Sequence, residues 1–214
     1  MSGIMKAVGV IVIIFVIFAV WKYGFSDDGT NSVSENDLTL VTDKDWVKGS
    51  TDAPATLIEY TDFQCPACGA YYPILKQVTE EMPDKVKLVI RHYPLIQIHP
   101  NALPGARAAE AAGRQGKFWE MYDLLFMNQA EWSKASDPMK SIFPAYAGRA
   151  GLDIEKFKQD MADSSLDDKI NHDRATGNKL EITGTPSFFL NGKKLENPKN
   201  VEELKKAIEK ASGA

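Results

Sequence analysis

Cys65 and Cys68 are the only cysteines of the 214-residue chain, and they stand three positions apart at the end of the stretch Glu59 to Cys68, EYTDFQCPAC. Thiols at that spacing can close a disulfide with each other, bind a soft metal, or exchange disulfides with other molecules. A zinc site needs two further good ligands, and His92, His99 and His172 show no paired spacing, so no metal is expected. A purely structural disulfide is disfavoured, because closing so short a loop gains only about 2 kcal/mol of chain entropy. Exchange is the chemistry the pair suits best. Its attacking species is the thiolate, whereas a free cysteine with a pKa of about 8.5 is mostly protonated at neutral pH. Pro66, directly after Cys65, fits the first position of a helix because it has no N–H to lose and its φ is already helical. The unpaired N–H groups of that first turn and the positive end of the helix dipole would then face the Cys65 sulfur and lower its pKa. Cys68, one turn on, shares the helix face and can attack a mixed disulfide from behind.

Two further features bear on this chemistry. Glu59 interrupts the apolar run Leu57, Ile58, Tyr60, where a carboxylate is costly to bury. Either the strand is an edge or Glu59 pairs with Lys87 or Arg91 on the neighbouring strand, or it is a buried acid of raised pKa that takes and returns the Cys68 proton. The residues by themselves weigh these readings evenly. Thr185-Pro186 opens a later strand and is a candidate cis peptide, although trans is the usual form. The net charge of −4 argues against a nucleic-acid partner, which would require a basic face.

The elements that must position these residues follow from the chain in order. Residues 1–25 carry an uninterrupted apolar run, Ala7 to Trp21, flanked by Lys6 and Lys22. With Ile4, Met5, Tyr23 and Phe25 added and both lysines snorkelling, it is long enough to span a bilayer. An uncleaved single-pass anchor in the cell membrane is expected in preference to a removed signal peptide, and both send the remainder of the chain out of the cytoplasm. Residues 26–37 are small, polar and acidic and read as a flexible linker. Residues 38–214 form one domain. There, Ala55 to Tyr60 is a buried strand, and a helix begins at Pro66 and ends before Pro83, kinked at Pro73. Its apolar stripe is Tyr71, Leu75 and Val78, and its polar stripe is Tyr72, Lys76 and Glu80. Val86 to Tyr93 is a second strand, completing a βαβ unit with the cysteines at the helix N-terminus.

A helical block follows at about 97–180. It contains an alanine-rich helix around Ala106 to Ala112, a helix over Lys117 to Asn128, and a third beginning at Asp137-Pro138. Two shorter ones follow around Ile154 to Met161 and Leu166 to Thr176. Asn191-Gly192 between Ser187 to Leu190 and Lys193 to Leu195 predicts a hairpin with a type I′ turn. Asn200 with Glu203 caps a last amphipathic helix.

Several segments resemble, in the same order, those of DsbA-type thiol-disulfide oxidoreductases of the thioredoxin superfamily. They are Asp45 to Gly49, Asp52 to Thr56, Leu57 to Cys68, Arg91 to Leu95, Gln115 to Glu120 and Gly184 to Gly192, and the similarity covers about residues 45–211. The resemblance implies an α/β thioredoxin fold with an inserted helical subdomain. It implies that Cys65 is an exposed nucleophile, Cys68 the resolving thiol, Glu59 the buried acid, Pro186 a cis-proline opposite the cysteines, and Thr185 a backbone partner for substrate peptide. No cofactor is implied. The implied partners are exported proteins with free cysteines and a membrane redox partner, a quinone-linked oxidase. Ala67 stands where the best-known oxidant of this type has histidine, which leaves the direction of exchange open between oxidase and reductase or isomerase. A redox-gated binding module is the non-enzymatic alternative.

Overall fold

The computed structural model describes residues 34–213; the expected membrane segment 1–25 and most of the linker 26–37 lie outside them. Among the described residues, no helix is long and apolar enough to cross a membrane. A short helix, α1 (Glu35–Leu38), precedes β1 (Trp46–Lys48). Then come β2 (Ala55–Thr61), α2 (Pro66–Glu81) and β3 (Val86–His92), the predicted βαβ unit, with β2 and β3 parallel. The hairpin β4 (Ser187–Leu190) and β5 (Lys193–Leu195) completes a five-stranded sheet of order β1-β3-β2-β4-β5, in which all other pairs are antiparallel. Its turn has φ of 47° at Asn191 and 80° at Gly192, the left-handed pair that Asn-Gly favours.

β2 is therefore the centre of the sheet and is covered on both faces, as parallel strands are. Alternation sends Ala55 and Leu57 into the larger core with α2, and Ile58 and Tyr60 into a smaller one with Val89, Ile182 and Phe189. C-terminal helix α9 (Val201–Ala211) packs against α2. The Asn200 cap forms as expected, its side chain accepting from the Glu203 N–H, while the Glu203 carboxylate reaches one residue further back and accepts from the Lys199 N–H.

Between β3 and β4 lie α3 (Ala102–Gly113), α4 (Phe118–Met127), α5 (Gln129–Trp132), α6 (Ile142–Arg149), α7 (Ile154–Ala162) and α8 (Leu166–Lys179). Three details differ from the expectations. The third predicted helix begins at Ile142, because Asp137-Pro138 opens a turn whose Pro138 carbonyl accepts from both Ile142 and Phe143. The short α5 had no periodic signal at four residues. Tyr72, placed on the polar stripe of α2, is buried: α4 covers that side and Asp123 accepts its hydroxyl at 3.1 Å.

Candidate active site

The redox pair lies where β2 ends and α2 begins. Cys65 is the N-cap residue with extended backbone (φ −66°, ψ 121°), Pro66 takes the first helical position, and Pro66 and Ala67 are exposed. The Cys65 N–H bonds the Asp62 carbonyl at 3.0 Å and the Gly69 N–H bonds the Cys65 carbonyl at 3.1 Å, so the turn is fixed on both sides of the sulfur. Both cysteines are free. The expectation of an exposed Cys65 needs correction: the residue is 7% exposed and Cys68 1%. The cause is the loop before β4, which lays the Thr185 carbonyl 3.4 Å from the Cys65 sulfur across 120 residues of chain. The Thr185-Pro186 bond is cis, and Pro186 is buried beside the pair's loop.

The titrations of the two sulfurs are displaced in opposite directions. Cys65 is held down to about 5, chiefly by the hydrogen bond from Cys68, which outweighs the effect of burial. Thr185 and the N–H groups of Cys68 and Ala67 add to it. The Thr185 hydroxyl is buried with no other partner, so it is available to a thiolate. Cys68 is pushed well above the ordinary thiol range by burial first, then by its bond to Cys65 and the charge of Glu59.

Glu59 is completely buried on the central strand, so it is not on an edge. Nor does it meet either suggested cation. In the parallel register Glu59 lies opposite Ile90, while Arg91 lies opposite Tyr60 and Lys87 opposite Thr56, which places both cations on the other face. Arg91 instead binds Asp45, the Leu38 and Leu40 carbonyls and the Tyr60 hydroxyl. Lys87 reaches the Thr51 carbonyl. The Glu59 carboxyl has one neutral donor, the Thr61 hydroxyl at 2.9 Å, and its second oxygen has no partner. Burial raises it to about 8, with the Cys65 charge adding to the effect and Thr61 opposing it. An acid at that value holds its proton at neutral pH and can release it.

Other residues around the pair carried no sequence signal. Asp62 anchors the turn through its carboxylate, which accepts from the Gln64 and Leu95 N–H groups and lies 2.7 Å from His99 Nδ1. Tyr122 has a fully buried hydroxyl without a partner; burial and then the charge of Glu59 raise it. Only its helical spacing with Phe118 and Leu125 was visible, and that reads as core.

The chain is 40% identical over 166 residues to the Na(+)/H(+) antiporter NhaA 3 of Salinispora tropica, covering 78% of this chain and 24% of that protein. It thus spans about a quarter of the length of such antiporter relatives. With the probable disulfide bond formation protein D of Bacillus cereus it is 31% identical over 218 residues, covering 98% of this chain and 97% of the relative. The crystal structure of Wolbachia pipientis alpha-DsbA1 superposes with a TM-score of 0.74 at 25% identity, over 84% of this chain and 96% of that one. The thioredoxin family model matches residues 41–210, and the chain belongs to the thioredoxin family, with a DsbA-like helical insertion.

Proposed function

We propose that the protein is an extracytoplasmic thiol-disulfide oxidoreductase that donates the Cys65–Cys68 disulfide to exported proteins. The observation that carries this reading is the opposite displacement of the two sulfurs, one held as thiolate and the other as thiol, at one helix N-terminus. A substrate thiolate attacks Cys65 of the disulfide, and Cys68 leaves. Glu59, still protonated at neutral pH, supplies the proton that Cys68 needs to remain a thiol. A second substrate thiolate then attacks the substrate sulfur of the mixed disulfide and expels Cys65. Cys65 is a good leaving group because its anion accepts first from the Cys68 thiol and then from Thr185 and the N–H groups of α2. The substrate gains a disulfide and the enzyme retains two electrons as the Cys65 thiolate and the Cys68 thiol. The substrate thiols have given their protons to solvent, Glu59 is reprotonated from there, and a membrane redox partner removes the two electrons. Thr185 beside Cys65 suits an extended peptide added as a strand.

The name of the Bacillus cereus relative, a disulfide bond formation protein, agrees with this reading. The apolar segment at residues 1–25 supports membrane anchoring with the folded domain outside the cytoplasm. A reductase or isomerase kept reduced by a membrane donor is the second reading. It is favoured by Ala67, which adds no side-chain donor at the first turn of α2.

The glutathione equilibrium of the pair decides between them. A reduction potential nearer about −120 mV supports the oxidase; one near the thioredoxin value of about −270 mV assigns the reductase.

A further inference from the structure

One carboxamide of the helical insertion bonds the redox turn twice. Gln129, the first residue of α5, donates from Nε2 to two carbonyls of the turn, Phe63 at 2.8 Å and Cys65 at 2.9 Å. The amide lies against Gly69 on the first turns of α2, where a Cβ would stand 2.6 Å from Gln129 Oε1. A reciprocal contact runs the other way. Gln64, directly before the nucleophile, donates to the Ser133 carbonyl at 2.7 Å and accepts from the Asn101 N–H at 2.6 Å. Asn101 is in turn tied to the Ala135 carbonyl at 2.8 Å. Two glutamines thus cross between the sheet domain and the insertion at the residues from Phe63 to Cys65.

We propose that Gln129 is a positioning residue for the redox reaction, holding the Cys65 peptide so that the N–H groups of Ala67 and Cys68 point at the sulfur. On this view the insertion helps to set the redox equilibrium, beyond framing a substrate groove. The physical argument has two parts. After the Cys68 thiol and Thr185, the donors that stabilise the Cys65 anion are the backbone N–H groups of Cys68 and Ala67 in α2, and their aim depends on the orientation of the Cys65–Pro66 peptide unit. That unit has no N–H of its own, because its nitrogen belongs to proline, and only its carbonyl can be held. The carbonyl is held by two donors, the Gly69 N–H and Gln129 Nε2. The carboxamide also brings the positive end of its dipole beside the carbonyl oxygen, which otherwise repels a neighbouring thiolate. Without Gln129 the reduced form is destabilised relative to the disulfide. This inference rests on the exchange chemistry proposed above.

Two variants test it on the full chain. Gln129→Met keeps the length of the side chain and removes its donors. Gly69→Ala introduces a methyl that displaces the flexible carboxamide while improving the helix propensity of α2, so a merely structural Gln129 predicts a change in stability at most and no shift of the redox equilibrium. Thiolate absorbance at 240 nm gives the Cys65 titration, glutathione redox buffers give the equilibrium, and thermal unfolding gives stability. Gln77→Met, on the exposed side of the same helix, is the control. Both test variants are expected to raise the Cys65 titration and to shift the glutathione equilibrium at least tenfold toward the disulfide, about 30 mV.

An equilibrium within twofold of wild type in folded Gln129→Met overturns the proposal, whatever its melting temperature. If that variant does not fold, an unshifted Gly69→Ala overturns it. A wild-type protein that fails to exchange with glutathione at all refutes the oxidoreductase reading instead, so the two failures are distinguishable.

Discussion

Replacing Glu59 with glutamine removes one ionisable proton from the centre of the sheet while keeping the side-chain shape and the acceptor for the Thr61 hydroxyl. Burial holds this carboxyl at about 8 against an ordinary 4.5, so the reduced folded protein retains a proton that the unfolded chain gives up. The linkage has the reverse sign from that of a salt-bridged acid. The contribution of Glu59 is intact below about pH 4.5, declines as pH rises from there to about 8, and is level beyond. Each pH unit crossed in that window costs about 1.4 kcal/mol, so the decline reaches roughly 3 kcal/mol at pH 7 and roughly 5 kcal/mol by pH 8.

The reduced Glu59→Gln protein should therefore match wild type near pH 4.5 and exceed its stability by about 3 kcal/mol at pH 7. Urea unfolding of both reduced proteins between pH 4.5 and 8.5 measures this, and the difference between the curves cancels the titrating groups that do not interact with Glu59. If Glu59 also supplies and accepts the Cys68 proton, the same substitution slows the single-turnover oxidation of a reduced peptide by roughly two orders of magnitude. Parallel stability curves, or a wild type that gains on the variant as pH rises, would refute the assignment of a buried, protonated acid.

Three other substitutions probe separate parts of the molecule. Cys68→Ala removes the resolving thiol and is expected to accumulate mixed disulfides on Cys65 in cells that oxidise exported proteins; non-reducing electrophoresis that recovers none would count against exchange with protein substrates. Ala67→His places a cationic donor at an exposed position beside the nucleophile, and should lower Cys65 further and shift the glutathione equilibrium about tenfold toward the dithiol, as read in redox buffers. Arg91→Met strips a nearly buried Asp45 of its bidentate partner and leaves the Leu38 and Leu40 carbonyls unbound, for an expected loss of roughly 3–5 kcal/mol in urea unfolding. A loss below about 1 kcal/mol would mean that Lys169, 3.4 Å from Asp45, carries that pair alone.

The sequence by itself determined the features that depend on near neighbours. The cysteine spacing, Pro66 after Cys65 and the flanking β-branched strands specify a thiol pair at a helix N-terminus. The Asn-Gly turn and the Asn200–Glu203 cap are closed by residues a few positions apart. Family resemblance added the Thr185-Pro186 loop and the role of Glu59, which local pattern left open.

What only the tertiary structure decided involves groups far apart in the chain. Whether Glu59 meets Arg91 or Lys87 is a matter of register parity: one residue of slip between β2 and β3 would exchange their faces, and composition does not encode the slip. Tyr72 is buried because α4, about 50 residues later, folds over a helix face that looked half polar. Gln64 and Gln129 have the composition of ordinary surface residues. They become a linked support for Cys65 only when the insertion returns to the redox turn, because a hydrogen bond across 60 or more residues leaves no periodicity in either partner's neighbourhood.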